Sequence, residues 1–164
     1  MVDNIGLDNI YIDQTLKIFS QFCGVFAADH LNKYFFRPSF HSMQYIIVNT
    51  EPISSKKHGH WIALSRYVDK NEKVILEYFD SLAWPISLLH PNIRNTILNA
   101  SFDLFVTNNK MLQHPGSNYC GFYAIARFLG LLRKSSITDF LSHFTCDLIG
   151  NDLRTLKYIR AITK

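Results

Sequence analysis

The stretch Gln113-His114-Pro115-Gly116-Ser117-Asn118-Tyr119-Cys120-Gly121-Phe122-Tyr123-Ala124-Ile125-Ala126-Arg127-Phe128-Leu129 divides at Cys120. The residues before it are rich in Pro, Gly, Ser and Asn, which supply turn geometry and local side-chain hydrogen bonds, so they predict a loop. The run from Gly121 to Leu132 is almost wholly apolar and longer than an ordinary strand, which predicts a buried helix. Cys120 thus stands directly before a helix N-terminus. Unpaired backbone N–H groups and the positive end of the helix dipole meet there and stabilise a thiolate, the reactive form of cysteine. The polar loop in front leaves room for a carbonyl to approach. Most cysteines are simply small buried apolar residues, and Cys23 and Cys146 are read that way.

Upstream, Tyr45-Ile46-Ile47-Val48 is β-branched and apolar enough for a buried strand. Trp61 to Tyr67 and Val74 to Phe79 predict two more, joined as an antiparallel hairpin by the polar turn Asp69-Lys70-Asn71-Glu72-Lys73. Asp13 to Phe22 predicts a short helix with Ile12, Leu16 and Phe19 on one face, ended by Cys23-Gly24. An aromatic connector (Tyr34, Phe35, Phe36, Phe40) follows it, and Asn49 to His58 reads as a loop. Leu89, Ile93 and Ile97 have helical spacing within Ile86 to Leu98, where Pro91 either starts or breaks the helix. Asp103 to Thr107 and Met111-Leu112 predict short strands. Two helices close the chain, one around Thr138 to His143 and one from about Asp152 with Leu153, Leu156 and Ile159 on one face. The class is α+β.

At 164 residues and 48% apolar content the chain is expected to form one domain, 1–164, with a sizeable core. There is no internal repeat, low-complexity tract or Gly/Ser linker. No apolar run is long enough to cross a bilayer and no signal-peptide layout opens the chain, so a protein of the cytosol or nucleus, without membrane attachment, is expected. Three cysteines are too few and too dispersed for a disulfide framework. The formal charge of +4 favours contact with a polyanion such as DNA, but the cations occur singly or in pairs such as Lys56-Lys57 and Arg133-Lys134. A mildly basic solvated surface accounts for them equally well.

A cysteine at a helix start becomes a nucleophile when a base stands beside it. His60 opens a strand, and a histidine there can deprotonate a thiol if a carboxylate holds its other ring nitrogen. Asp80 ends the neighbouring strand on the period-two face of Leu76 and Tyr78 and is the best such carboxylate; Glu77, on the opposite face, is the alternative. Gln113, seven residues before Cys120, can turn its amide back and donate to an oxyanion alongside the Cys120 backbone N–H. His58 and His60 also form an H-x-H pair that can offer two nitrogens to zinc, although no CxxC or HExxH supports a metal.

The order His60-Trp61, Phe79-Asp80-Ser81, then Gln113 and Cys120-Gly121 resembles the adenain family of adenoviral maturation proteases and its wider clan, which includes proteases of ubiquitin-like modifiers. Cys23-Gly24-Val25-Phe26, Ile47-Val48-Asn49-Thr50 and Gly116-Ser117-Asn118 have similar counterparts in that family, and the resemblance covers roughly residues 13 to 130. The spacing from Gln113 to Cys120 matches the viral branch. The resemblance implies a central mixed β-sheet flanked by helices, with the nucleophile at the N-terminus of a buried helix. It implies Cys120 as nucleophile, His60 as base and then acid, Asp80 as orienter, Gln113 in the oxyanion hole, and Trp61 flanking the substrate. The function it implies is a cysteine endopeptidase that cleaves capsid or core precursors at glycine-containing sites, as a monomer, in virions and infected cells, with no required cofactor.

Activation by DNA or by a viral peptide is a further family trait; no residue here is assignable to DNA, and the stretch Ser101 to Val106 lacks the cysteine that tethers the peptide. Asp80 stands where the viral branch has glutamate and the modifier proteases have aspartate. An isopeptidase for ubiquitin-like modifiers, and an acyltransferase using the same triad, are the alternative enzymes. A non-enzymatic basic protein predicts a Cys120 thiol no more reactive than Cys23.

Overall fold

A computed structural model describes residues 6–33, 36 and 43–162. Five strands lie side by side in chain order in one mixed sheet: β1 (Phe22–Ala27), β2 (Gln44–Asn49), β3 (Trp61–Val68), β4 (Val74–Phe79) and β5 (Leu104–Thr107). The central strands β2, β3 and β4 run antiparallel, whereas β1 is parallel to β2 and β5 parallel to β4. The helices are α1 (Asn9–Leu16), α2 (Pro91–Leu98), α3 (Cys120–Leu132), α4 (Ile137–Ser142) and α5 (Leu148–Ile162). This mixed sheet with helices makes the chain an α+β protein.

Strand alternation builds a core on each side of the sheet. Tyr45, Ile47, Ala63 and Phe79 point to one face, where they bury against Tyr123, Ile125 and Phe128 of α3, Ile12 and Leu16 of α1, Phe140 of α4 and Leu156 and Ile159 of α5. Their neighbours Ile46, Val48, Ile62, Leu64, Leu76 and Tyr78 point to the other and bury against Ile93 and Ile97 of α2, with Ala28 and Leu31 from a 3-10 turn. Burial on both faces explains why β2 reads as an unbroken apolar run. Because β3 and β4 are antiparallel with Ala63 opposite Phe79, the residue entering β3 and the residue leaving β4 emerge at the same end of the sheet.

Several local expectations change. Helix α1 spans Asn9–Leu16, capped by the Asp8 carboxylate at 2.7 Å from the Tyr11 N–H, and does not extend to Phe22. Phe22 instead opens β1, where pairing with β2 outweighs the local helical spacing. Gly24 lies inside that strand with φ 127°, at the register irregularity, and is not a helix stop. Cys23 and Cys146 are exposed, not buried; only Cys120 of the three is buried. Met111-Leu112 forms no strand, since the Leu112 and Gln113 N–H groups both donate to the Ser81 carbonyl, at 2.8 and 3.1 Å. Pro91 starts α2 at its first position, where no backbone bond is lost. Helix α5 begins at Leu148, ahead of the expected Asp152. Of the aromatic connector, Tyr34, Phe35 and Phe40 lie outside the described residues, and Phe36 is buried in the second core.

Candidate active site

His60, Asp80 and Cys120 meet where β3 begins, β4 ends and α3 starts. His60 Nε2 lies 2.6 Å from Asp80 Oδ1, and the Cys120 side chain is near enough to the imidazole to raise its pKa. With Nε2 committed to the carboxylate, Nδ1 is the nitrogen left for sulfur. The His60 backbone is fixed by Thr50, whose Oγ1 accepts the His60 N–H at 3.0 Å and whose N–H donates to the His60 carbonyl at 2.8 Å. The preceding Gly59 has no room for a side chain, because a Cβ there would collide with Asn49, which accepts the Glu51 N–H.

Asp80 is wholly buried and its carboxylate is satisfied by four donors. Besides His60 these are the Tyr78 hydroxyl (3.1 Å) and the backbone N–H groups of Leu82 (2.7 Å) and Trp84 (3.1 Å). Asn108 braces the same residue, accepting its N–H and donating to its carbonyl. Glu77 faces the other side of the sheet and is paired with Arg127, so it does not reach His60.

Burial removes water from the charged imidazole and by itself lowers its pKa. Hydrogen bonds to Asp80 and Cys120, reinforced by the negative charges of both, outweigh that and push His60 from 6.5 up to about 9. A raised histidine pKa favours the folded state fully below about 6.5, and this contribution is lost as pH rises through about 9. A reaction that needs the imidazolium therefore has its alkaline limb near pH 9. In Asp80→Asn the limb moves down by about one to three pH units, because a charge within hydrogen-bond reach has been removed. A pH profile of kcat/KM reads this directly, and an unmoved limb would show that Asp80 does not set the charge on His60.

Cys120 is the first residue of α3, and its N-cap, Tyr119, makes no side-chain capping bond. The Trp61 N–H lies 3.4 Å from Cys120 Sγ, and the Trp61 indole donates to the Leu7 carbonyl at 2.9 Å. Trp61 and Cys120 border an open cleft of about 740 Å³ whose walls include Leu7, His30, Lys57 and His58. Gln113 is buried at the root of the loop leading to Cys120, with Oε1 accepting from Ser81 at 2.6 Å and Nε2 donating to the Ser117 carbonyl at 2.8 Å. It makes no direct bond to Cys120. Asp152 of α5 braces that loop from outside by accepting the His114 N–H and the Tyr123 hydroxyl.

Two neighbours have no role assigned from the sequence, although Ser81 stands in the Phe79-Asp80-Ser81 motif. Trp84 lies over the His60 ring at 5.0 Å between centroids, tilted 44°, and shields one face of it. Ser81 holds the Gln113 amide. His58 is exposed, and among the described residues no three His, Cys, Asp or Glu side chains are grouped to hold a metal. Nor is any helix among them long and apolar enough to cross a membrane.

No protein-family model and no curated protein matches the chain. Among solved structures it is similar to the central domain of the uncharacterized Lpg1148 protein from Legionella pneumophila, with a TM-score of 0.52 and 15% identity over 95% of this chain and 98% of that one. At that identity the likeness concerns the fold alone.

Proposed function

We propose that the chain is a cysteine endopeptidase of the adenain-like fold that cleaves protein precursors at glycine-containing sites. The observation that carries the reading is the continuous row Cys120, His60, Asp80 at the mouth of an open cleft, with the 2.6 Å bond between His60 and Asp80. In this reading the Cys120 sulfur attacks the scissile carbonyl carbon while the imidazolium stays beside it. The oxyanion that forms is stabilised by the backbone N–H of Cys120 and the amide of Gln113. His60 gives its Nδ1 proton to the departing amine as the C–N bond breaks, leaving a thioester. Water then adds to the thioester with His60 taking its proton, and the sulfur leaves. Capsid or core precursors as substrates rest on the seven-residue step from Gln113 to Cys120, which matches the viral branch.

The test is a fluorogenic peptide amide ending in Gly-Gly, followed while iodoacetamide labels the thiols. Loss of hydrolysis in step with labelling of Cys120, and not of Cys23 or Cys146, is the expected result. Hydrolysis that survives full Cys120 labelling, or labelling of Cys120 no faster than Cys23, would sink the reading. The hydrogen-bonded Asp80 favours a second one, removal of ubiquitin-like modifiers. A propargyl-terminated modifier that labels Cys120, with no cleavage of internal Gly-Gly sites in proteins, selects it.

A further inference from the structure

Ser81 follows the carboxylate residue directly and is itself buried, at 1% exposure. Its hydroxyl donates to Gln113 Oε1 at 2.6 Å, and its carbonyl accepts the Leu112 and Gln113 N–H groups, so it grips both the backbone and the side chain of Gln113. The far end of the amide donates to the Ser117 carbonyl. Turning the amide by 180° would set its oxygen against that carbonyl, acceptor to acceptor, so the two contacts together admit one orientation. In that orientation the second Nε2 hydrogen has no partner among the described residues. A buried amide N–H left unpaired is unfavourable, and the oxygen of a bound carbonyl would relieve it.

We propose that Ser81 is a positioning residue that aims this remaining Gln113 N–H at the carbonyl oxygen of a substrate attacked by Cys120. The inference rests on the reading of Gln113 as an oxyanion donor and extends it. Adjacent residues at the end of β4 then serve both halves of the chemistry: Asp80 orients the base and Ser81 orients the oxyanion donor. Both lie just past the end of β4 at Phe79, Asp80 bonded to His60 and Ser81 to Gln113.

The experiment is a double-mutant cycle with Gln113, read on the Gly-Gly peptide amide, with iodoacetamide alkylation of Cys120 as a control. Alkylation is a displacement at carbon that forms no oxyanion, so it reports the Cys120 and His60 pair alone. Ser81→Ala is expected to lower kcat about 10- to 100-fold, as small misplacements of a catalytic group do, with KM and the alkylation rate unchanged. In the Gln113→Ala background Ser81→Ala should cost nothing more. An undiminished kcat in Ser81→Ala overturns the proposal, as does an equal fall in both backgrounds or a matching loss of alkylation. An active wild type indifferent to Gln113→Ala also overturns it while leaving the peptidase reading intact. A wild type that neither hydrolyses the peptide nor alkylates faster at Cys120 than at Cys23 removes both.

Discussion

Cys120→Ala is expected to lower kcat on a Gly-Gly peptide amide by about 10⁵- to 10⁶-fold, the scale on which a covalent nucleophile is lost. Among the described residues no sulfur or hydroxyl other than that of Cys120 acts on the His60 ring, so the covalent route closes. What remains is hydrolysis by water aided by the cleft and the oxyanion donors, and KM should change little. The fold should survive, because the substitution removes a single heavy atom from a site that is still 8% exposed. Loss of one buried methylene-sized group costs on the order of 1 kcal/mol. His60 keeps Asp80 but loses the hydrogen bond and charge of Cys120, so its pKa falls from about 9. Cys23→Ser and Cys146→Ser, both at exposed positions, should retain full activity. Residual turnover within tenfold of wild type in Cys120→Ala, in protein shown to be free of wild-type enzyme, would remove Cys120 from the mechanism.

The parts of this site that could be read from the sequence are those set by local rules. A polar turn between two β-rich runs forces a hairpin, and a hairpin brings the residue before one strand and the residue after the other to one end, which is why His60 and Asp80 could be paired. The change from a turn-rich loop to an apolar helix likewise marked Cys120 without knowledge of its neighbours. What escaped depends on contacts distant in the chain. Strand β1 exists because β2 pairs with it in parallel, and local helical spacing around Phe19 pointed the other way. Trp84 reaches His60 only because the chain folds back after Asp80, with Ala83 at φ 55°. Ser81 meets Gln113 across 32 residues, through a loop whose course no periodicity encodes. The exposed Cys23 and Cys146 show that residue type alone was a poor guide to burial.

The largest stability effect is expected at a pair the sequence does not connect, Glu77 and Arg127, since Glu77 reads there as the alternative partner of His60. Arg127 lies seven residues after Cys120, two turns along the same inward face of α3, and is fully buried. Its Nε and Nη2 donate to the two Glu77 carboxylate oxygens at 2.6 and 2.7 Å, and Tyr67 adds a hydroxyl to Oε2 at 3.0 Å. Nη1 reaches the Ser135 carbonyl, and the guanidinium sits 5.3 Å over the Phe140 ring, tying α3 to α4. Burial opposes the Arg127 charge, but the hydrogen bonds and charge of Glu77 more than offset it, and its pKa rises. Glu77→Ala leaves that cation buried without its counterion and should destabilise the fold by about 3–5 kcal/mol. For a domain of this size that is a fall in Tm on the order of 10 °C. The paired replacement Glu77→Leu with Arg127→Met removes both charges at similar volume and should recover most of the loss, because the desolvation cost disappears together with the attraction. Urea unfolding of Glu77→Leu, of Arg127→Met and of the double variant measures the coupling. A single variant within 1 kcal/mol of wild type would mean that the bridge does not anchor α3, and that the placement of Cys120 against His60 depends on the surrounding apolar packing instead.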